Sequence, residues 1–534
     1  MDEGTSKPPL SGWLGWLLAA MAVIVFATYG HYGTTWDEGA QTYYGELALE
    51  YFTSGFEDTS CNRFLDLRFY GPLPEMIPAL LYSPDTRFDV RHLFFGLLAL
   101  GILPALAIYG RLFRHPWVPP FAAVAVLMLP RFYGHIFNNS KDVPFAVATA
   151  WFMVAATALA ARGGGWRTIL CGLALGAAAW VRPGGYPLLM AYLVGAVALA
   201  VFLGLGEERK GVMKKARRWL AIPGVAAVGW LVMVLPWPWA HEDPIGHPLE
   251  AMQRSAAFTV EYPVLFEGEV ISSKELPRTY LGKYLLITTP LTLLVLAALG
   301  AALAIVALVR RQERRQAFGG GVTLLWLGLP LVAFLVQRPN VYDGLRHFLF
   351  VLPAVAVLAG VGAAGILEQT RRRRLAWPLM VVALLIPVKD LVALHPYQMT
   401  YFNSLVGGLK GAYGRYETDY WVSSYREAML WVNRQAAEDP GRQLRVLVAG
   451  GEGVYVRPAA EYYAVSNVEV VTPREVAQKQ IPRSEIDFYL ATTRYRHDAR
   501  LDGEVVHAIG RQGAVFTVIK RLKAPAAAQV SPGG

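Results

Sequence analysis

The sequence predicts a polytopic α-helical membrane protein of about 11 spans, carrying a small C-terminal α/β extracytoplasmic domain. Three observations carry that prediction. Apolar residues make up 54% of the 534 positions and charged residues only 17%, giving a mean hydropathy of +0.34. Leu, Ala and Val fill uncharged runs approaching the roughly 20 residues that cross about 30 Å of hydrocarbon. After residue 395 the pattern changes to short β-branched and aromatic segments separated by polar turns.

The runs place spans at 12–30, 92–110, 117–133, 143–161, 166–181, 186–206, 219–237, 284–308, 320–337, 346–366 and 375–394. The fifth is short and reads equally as half of a broken or re-entrant pair with the sixth. The first, Trp13 to Gly30, lacks a basic start and a small-residue cleavage site, and so reads as a retained anchor. The chain then divides into a transmembrane module, 1–395, with large loops at 31–91 and 238–283, an α/β domain at 396–523, and a disordered end at 524–534 rich in Ala, Pro, Gly and Ser. In the α/β domain, Leu444–Gly450, Val468–Val471, Ile486–Thr493, Val505–Gly510 and Ala514–Lys520 read as strands, with helices near Tyr425–Ala437 and Pro473–Gln480.

A net charge of +10 would fit nucleic acid, but the basic residues fall in short connectors between apolar runs. Alternate loops hold Arg111 and Arg114; Arg162 and Arg167; six residues from Arg209 to Arg218; Arg310, Arg311, Arg314 and Arg315; and Arg371 to Arg374. The positive-inside rule places this set, and the N-terminus, in the cytoplasm. Compact spans and short loops favour a bacterial inner membrane. No nucleic-acid partner is expected. Cys61 lies in a polar loop and Cys171 in an apolar run, so no disulfide is expected.

Nearly all the unusual sequence then faces outward. Thr34-Thr35-Trp36-Asp37-Glu38 follows the first span. Thr35 and Glu38 have capping-box spacing, which starts a helix and places Asp37 and Glu38 in its first turn, where its dipole favours acids. Two acids at the mouth of an apolar bundle also suit a general base. His135-Ile-Phe-Asn-Asn-Ser-Lys141-Asp142-Val-Pro144 forms a second outer turn. Asp142 suits orientation of an acceptor or binding of a metal, and Lys141 neutralisation of a phosphate; a capped helix start with Pro144 in its first turn is the plainer reading. Arg182 sits in a turn beside hydrocarbon, where it snorkels or finds a partner. Arg346 opens the tenth run within Tyr342-Asp343-Gly344-Leu345-Arg346-His347, where it can meet phosphate, anchor at the interface or pair with Asp343. Lys389 and Asp390 are charged near the end of the last span and can pair with each other. Tyr70 opens a Gly-Pro-Leu-Pro segment ahead of the interfacial stretch Met76–Tyr82. His241-Glu242-Asp243 and His247 have a metal-like composition without firm ligand spacing. The segment 395–421 is dense in aromatics, with Tyr397, Tyr401, Phe402, Tyr413, Tyr416, Tyr420 and Trp421, which serve as interfacial belt residues or as sugar-stacking surfaces.

In order and sidedness these motifs resemble the GT-C glycosyltransferases. More narrowly, the chain resembles the protein O-mannosyltransferase and lipid A aminoarabinose transferase group (glycosyltransferase family 39-like). Trp36-Asp37-Glu38 matches that group's catalytic first-loop acid. Tyr70-Gly71-Pro72-Leu73 resembles its proline-containing juxtamembrane stretch, Ser140-Lys141-Asp142-Val-Pro144 its second acidic loop, and Leu345-Arg346-His347-Phe348 with Pro353 its late-span Arg motif. The resemblance covers roughly residues 12–395. The mannosyltransferase-specific soluble insert is absent, and the tail matches no domain of the group.

The resemblance implies an inverting transferase that takes a sugar from a polyprenyl-phosphate donor to a lipid, glycan or protein acceptor. Asp37 is then the base, with Glu38 and Asp142 as accompanying acids. Arg346, Arg182, Lys141 and Lys389 are the candidate phosphate-binding cations. Trp36, Tyr70, His347, Tyr397 and Tyr401 are the candidate acceptor or sugar contacts. No cofactor or metal is required, and a divalent metal stays open. The competing class is a membrane transporter or lipid flippase, which would favour inverted repeats and ionisable residues at the midplane. Here the span centres carry almost no charge and the acids gather at one surface.

Overall fold

The computed structural model describes residues 11–205, 211–256, 259–311, 313–369, 373–450 and 455–522. The end expected to be disordered, 524–534, lies outside them, as do Arg209, Lys210, Arg371 and Arg372. Among the described residues, eight helices are long and apolar enough to cross a membrane: Gly12–His31, Arg87–Phe113, Asp142–Arg162, Pro183–Phe202, Arg217–Val234, Leu291–Arg310, Arg314–Gln337 and Arg346–Glu368. The expected count of eleven is reached only by adding two shorter apolar helices, Val118–Leu127 and Gly165–Val181, and the helix Arg373–Ala393.

The shortening has a local cause. The run read as 117–133 stops at Leu127, because Leu129 precedes Pro130 and is extended (φ −91°, ψ 100°), and Pro130 opens a separate turn, Pro130–Tyr133. Pro183 divides the expected fifth and sixth spans in the same way, through the turn Pro183–Gly185. The helix Arg346–Glu368 is the most enclosed of the eight, whereas Gly12–His31 is largely uncovered along its length.

Helix contacts rest on small residues, as expected where neighbours and lipid are equally apolar. A Cβ added at Gly300 would stand 1.9 Å from the Leu358 carbonyl oxygen, and one at Gly362 would stand 2.0 Å from that of Leu296. The helices Leu291–Arg310 and Leu352–Gln369 therefore approach backbone to backbone. Gly172 and Gly176 likewise receive Val228 and Val232.

The first loop is folded. The helix Glu38–Thr53 packs against the short helix Leu73–Ala79, and Tyr44 Oη donates to the Tyr70 carbonyl at 2.9 Å. The loop after residue 238 carries a hairpin that the sequence pattern did not suggest, β1 (Pro263–Phe266) with β2 (Glu269–Ser272). In the tail, β3 (Leu444–Val448), β4 (Val468–Val471), β5 (Phe488–Thr492), β6 (Gly503–Arg511) and β7 (Ala514–Leu522) form one sheet in the order β4-β3-β5-β7-β6. β3 is parallel to β4 and β5, and β7 is antiparallel to β5 and β6. The helix Tyr425–Glu438 packs its apolar side, Tyr425, Met429 and Val432, into the core. The helix Pro473–Gln478 begins with a complete capping box between Thr472 and Glu475.

The sheet region meets the first loop directly. Thr34 N donates to Tyr463 Oη at 2.9 Å, and Trp36 N donates to the Trp421 carbonyl at 3.3 Å. Both contacts lie within three residues ahead of Asp37. The tail is thus fastened at the spot where the sequence concentrates its acids.

Candidate active site

Asp37 precedes the helix Glu38–Thr53, whose Gln41 N donates to the Asp37 carbonyl at 3.1 Å. Its side chain is 31% exposed and enters a cavity of about 390 Å³. Loops from one end of the bundle build that cavity, together with the tail. Trp36, Tyr70, Lys141, Asp142, Arg182, Arg346 and His347, all singled out in the sequence, line it with Asp37.

Arg346 is the centre of charge. Its Nη1 donates to Asp37 Oδ2 at 3.4 Å, and its Nε stands 3.1 Å from Asp343 Oδ2. The guanidinium lies over the rings of Tyr342 and Trp421, 4.9 Å from each centroid. Asp343 is buried and also accepts from Arg494 Nη2 at 2.5 Å. Arg494 comes from the tail. It stands 3.3 Å from Glu417, donates to the Tyr420 carbonyl, and covers the ring of Trp36 at 4.8 Å. Two arginines and two acids thus form a buried chain that ends on Asp37. Burial pushes the Glu417 carboxyl up to about 7 against the pull of Arg494.

The second acid is held differently. Asp142 is buried, is ion-paired with Arg182, and accepts from Asn139 Nδ2 at 2.9 Å. Asn139 Oδ1 in turn accepts from Asp142 N at 2.8 Å. Asn139, rather than Asp142 or Ser140, thus bonds the first amide of the helix Asp142–Arg162, and the helix start and the polar site are one object. Lys141 Nζ lies 4.3 Å over the Tyr70 ring, and the His347 ring meets that of Tyr342 edge-on at 4.8 Å. Behind this wall, burial pushes His135 down to about 4. The neutral ring bridges the Arg131 carbonyl and Tyr420 Oη, each at 2.5 Å.

Four expected site residues stand elsewhere. Glu38 is buried and turned away from the cavity. It accepts from Thr35 N at 2.8 Å, pairs with His92 Nε2 at 2.9 Å, and stands 3.8 Å from Arg91, which also pairs with Glu75. Its carboxylate is committed to fixing the loop. Lys389 is exposed and does not line the cavity. Tyr397 is buried, with its hydroxyl donating to Glu427 at 2.8 Å and Arg511 over its ring. Tyr401 is buried, and its carbonyl accepts from Arg131 Nε at 3.1 Å. Both tyrosines pack where the tail meets the bundle, and neither lines the cavity.

The metal-like group 241–247 has other duties. His241 bonds Tyr51 Oη and the Leu235 carbonyl, Glu242 accepts from Asn62, Asp243 caps the following turn, and His247 stacks on Trp239. Among the described residues no three His, Cys, Asp or Glu side chains are grouped to hold a metal. Cys61 and Cys171 are both free.

Arg494, Tyr495, Glu417, Tyr262 and Tyr455 belong to the site or its support and were not found from the sequence. An acid at 417 inside an aromatic-rich segment was the available signal for Glu417. Nothing local marks Arg494, which follows an ordinary strand.

Fold and site together define a class: a polytopic helical membrane protein with an acid-and-arginine cavity at one mouth of its bundle, closed by a sheet-bearing tail. No family model matches the chain, and no curated protein matches it. Solved structures do. The chain is similar to the archaeal oligosaccharyltransferase AglB from Archaeoglobus fulgidus, at TM-score 0.49 and 11% identity, over 90% of this chain and 69% of that one. It is similar to ArnT from Cupriavidus metallidurans, at TM-score 0.48 and 12% identity, over 95% of this chain and 98% of that one. It is also similar to the arabinofuranosyltransferase AftD from Mycobacteria, at TM-score 0.45 and 13% identity, over 96% of this chain but 40% of that one.

Proposed function

We propose that the protein is an integral membrane glycosyltransferase, moving a sugar from a polyprenyl-phosphate donor to an acceptor hydroxyl at the membrane face that carries Asp37. One observation carries the reading. The polar cavity shares Tyr70, Arg182, Tyr342 and His347 with a second cavity of about 550 Å³. That second cavity runs between the helices Tyr186–Phe202 and Arg314–Gln337 over Leu188, Ala191, Leu329, Ala333 and Phe334. A polar chamber opening onto an apolar groove suits a molecule with a sugar at one end and a prenyl chain at the other.

The chemistry follows from the placement. The acceptor oxygen attacks the anomeric carbon, and Asp37 takes its proton. The bond from that carbon to the phosphate oxygen breaks, and its electron pair leaves with the lipid phosphate. Attack opposite the leaving group inverts the centre. Arg346 holds Asp37 in place and, with Arg182 and Lys141, offers fixed positive charge where the phosphate gains negative charge. Asp142 orients Arg182 and faces the acceptor side. With the basic connectors in the cytoplasm, the site is extracytoplasmic, in a bacterial inner membrane, where a membrane-bound donor reaches it and a nucleotide sugar does not.

The test is transfer of radiolabelled sugar from several polyprenyl-phosphate sugars by purified protein, with membrane extract supplying acceptors. Transfer that requires the prenyl chain supports the reading. No transfer from any donor, with the protein folded, refutes it.

A further inference from the structure

The bundle holds a larger cavity at its other end. The helix Asp142–Arg162 begins at the active-site wall and runs 21 residues, so its last turn lies about 30 Å away. There a cavity of about 730 Å³ is lined by Arg111, Arg114, Arg162, Arg217 and Arg315, which come from four separate segments of the chain. No Asp or Glu lines it among the described residues. The five side chains are exposed rather than spent on interior contacts. A sixth, Arg218, is buried beneath and donates to the carbonyls of Ala161 and Leu205. It fixes the floor.

Five guanidinium groups around one concavity repel one another, and an anion relieves that repulsion. The helices Gly165–Val181 and Arg314–Gln337 both start at this rim, so their N-terminal dipoles add to the same field. Basic connectors alone would satisfy the orientation rule without forming a pocket. The inner wall is apolar, with Val154, Ala158 and Phe318. That combination has two ends, one for charge and one for hydrocarbon.

We propose that this cavity binds the phosphate headgroup of an anionic phospholipid, with the start of an acyl chain against Val154, Ala158 and Phe318. Planar guanidinium forks hold phosphate oxygens in pairs, which exposed lysines do not do. A zwitterionic headgroup brings its own cation and gains less. The site is separate from the transferase chemistry, and its test reads binding rather than turnover.

The experiment is native mass spectrometry of the purified full chain, taken from mixed micelles of phosphatidylglycerol and phosphatidylcholine. Wild type should retain phosphatidylglycerol in preference. Arg162→Gln and Arg315→Gln should each weaken that retention roughly fivefold, the worth of one arginine at a charged membrane surface. Arg162→Lys and Arg315→Lys keep the charge and should lose less, which separates lost binding from lost folding. Equal retention of the two lipids, or unchanged retention in both glutamine variants, overturns the proposal. Displacement of the lipid by millimolar inorganic phosphate overturns the lipid assignment and gives the arginines to a soluble phosphate.

Discussion

Arg494→Met removes a buried cation that faces both Asp343 and Glu417. Deleting one partner of a buried ion pair costs about 3–5 kcal/mol, because the other charge stays buried. Asp343 keeps Arg346, and Glu417 takes up a proton near neutral pH, so the cost falls at the low end, about 3 kcal/mol. The assay is thermal unfolding in detergent, followed by a thiol-reactive dye, since Cys61 and Cys171 are free and buried in the folded chain. The double variant Arg494→Met with Glu417→Gln removes the cation and one stranded acid together. It should be more stable than Arg494→Met alone, a coupling that a mutant cycle reads directly. Wild-type melting of the single variant, or a double variant as unstable as the sum of its parts, would refute the buried chain of charges.

Further outcomes follow from the same geometry. Glu417 sits at about 7 in the fold against an ordinary 4.5. The folded state therefore holds the extra proton, and this group's contribution to stability is full at acid pH and is lost as pH rises from about 4.5 to about 7. Glu417→Gln should flatten that part of the melting-against-pH curve, and an unchanged slope would contradict it. Glu38→Ala takes away His92's carboxylate partner and leaves the buried Arg91 with Glu75 alone, so it should cost about 3 kcal/mol, the low end for a broken buried pair, in the same melt. A stable but inactive Glu38→Ala protein would return that acid to the chemistry. Ala333→Trp should fill the apolar groove and raise KM for long-chain donors while leaving kcat for a short-chain donor near wild type; an unchanged KM would place the prenyl chain elsewhere.

Much of the site was legible because membrane topology does the sorting. Spans alternate direction, so Asp37, Asp142, Arg182 and Arg346 fall on one face once the spans are counted, and one cavity then collects them. The capping spacing of Thr35 and Glu38 pointed to a helix start, and Glu38 does bond Thr35 N. The sequence did not disclose that the same carboxylate is claimed by Arg91 and His92, some 54 positions on. Adjacent acids look alike until their partners are known. Tyr397 and Tyr401 lie away from the cavity, unforeseen for a related reason: an aromatic that packs a domain joint and one that lines a site have the same composition. Arg494 was out of reach, because its partner Asp343 lies 151 positions away and the joint between tail and bundle leaves no periodic signal.

The most direct test of the central claim is turnover of a polyprenyl-phosphate sugar by Asp37→Asn beside wild type, with both melting curves recorded. Asp37 is part-exposed and borders the cavity, so the substitution should leave the fold intact. Loss of a positioned general base lowers the rate by about 10²–10⁴-fold. A folded Asp37→Asn protein with turnover reduced on that scale is the predicted result. Turnover equal to wild type would contradict the account.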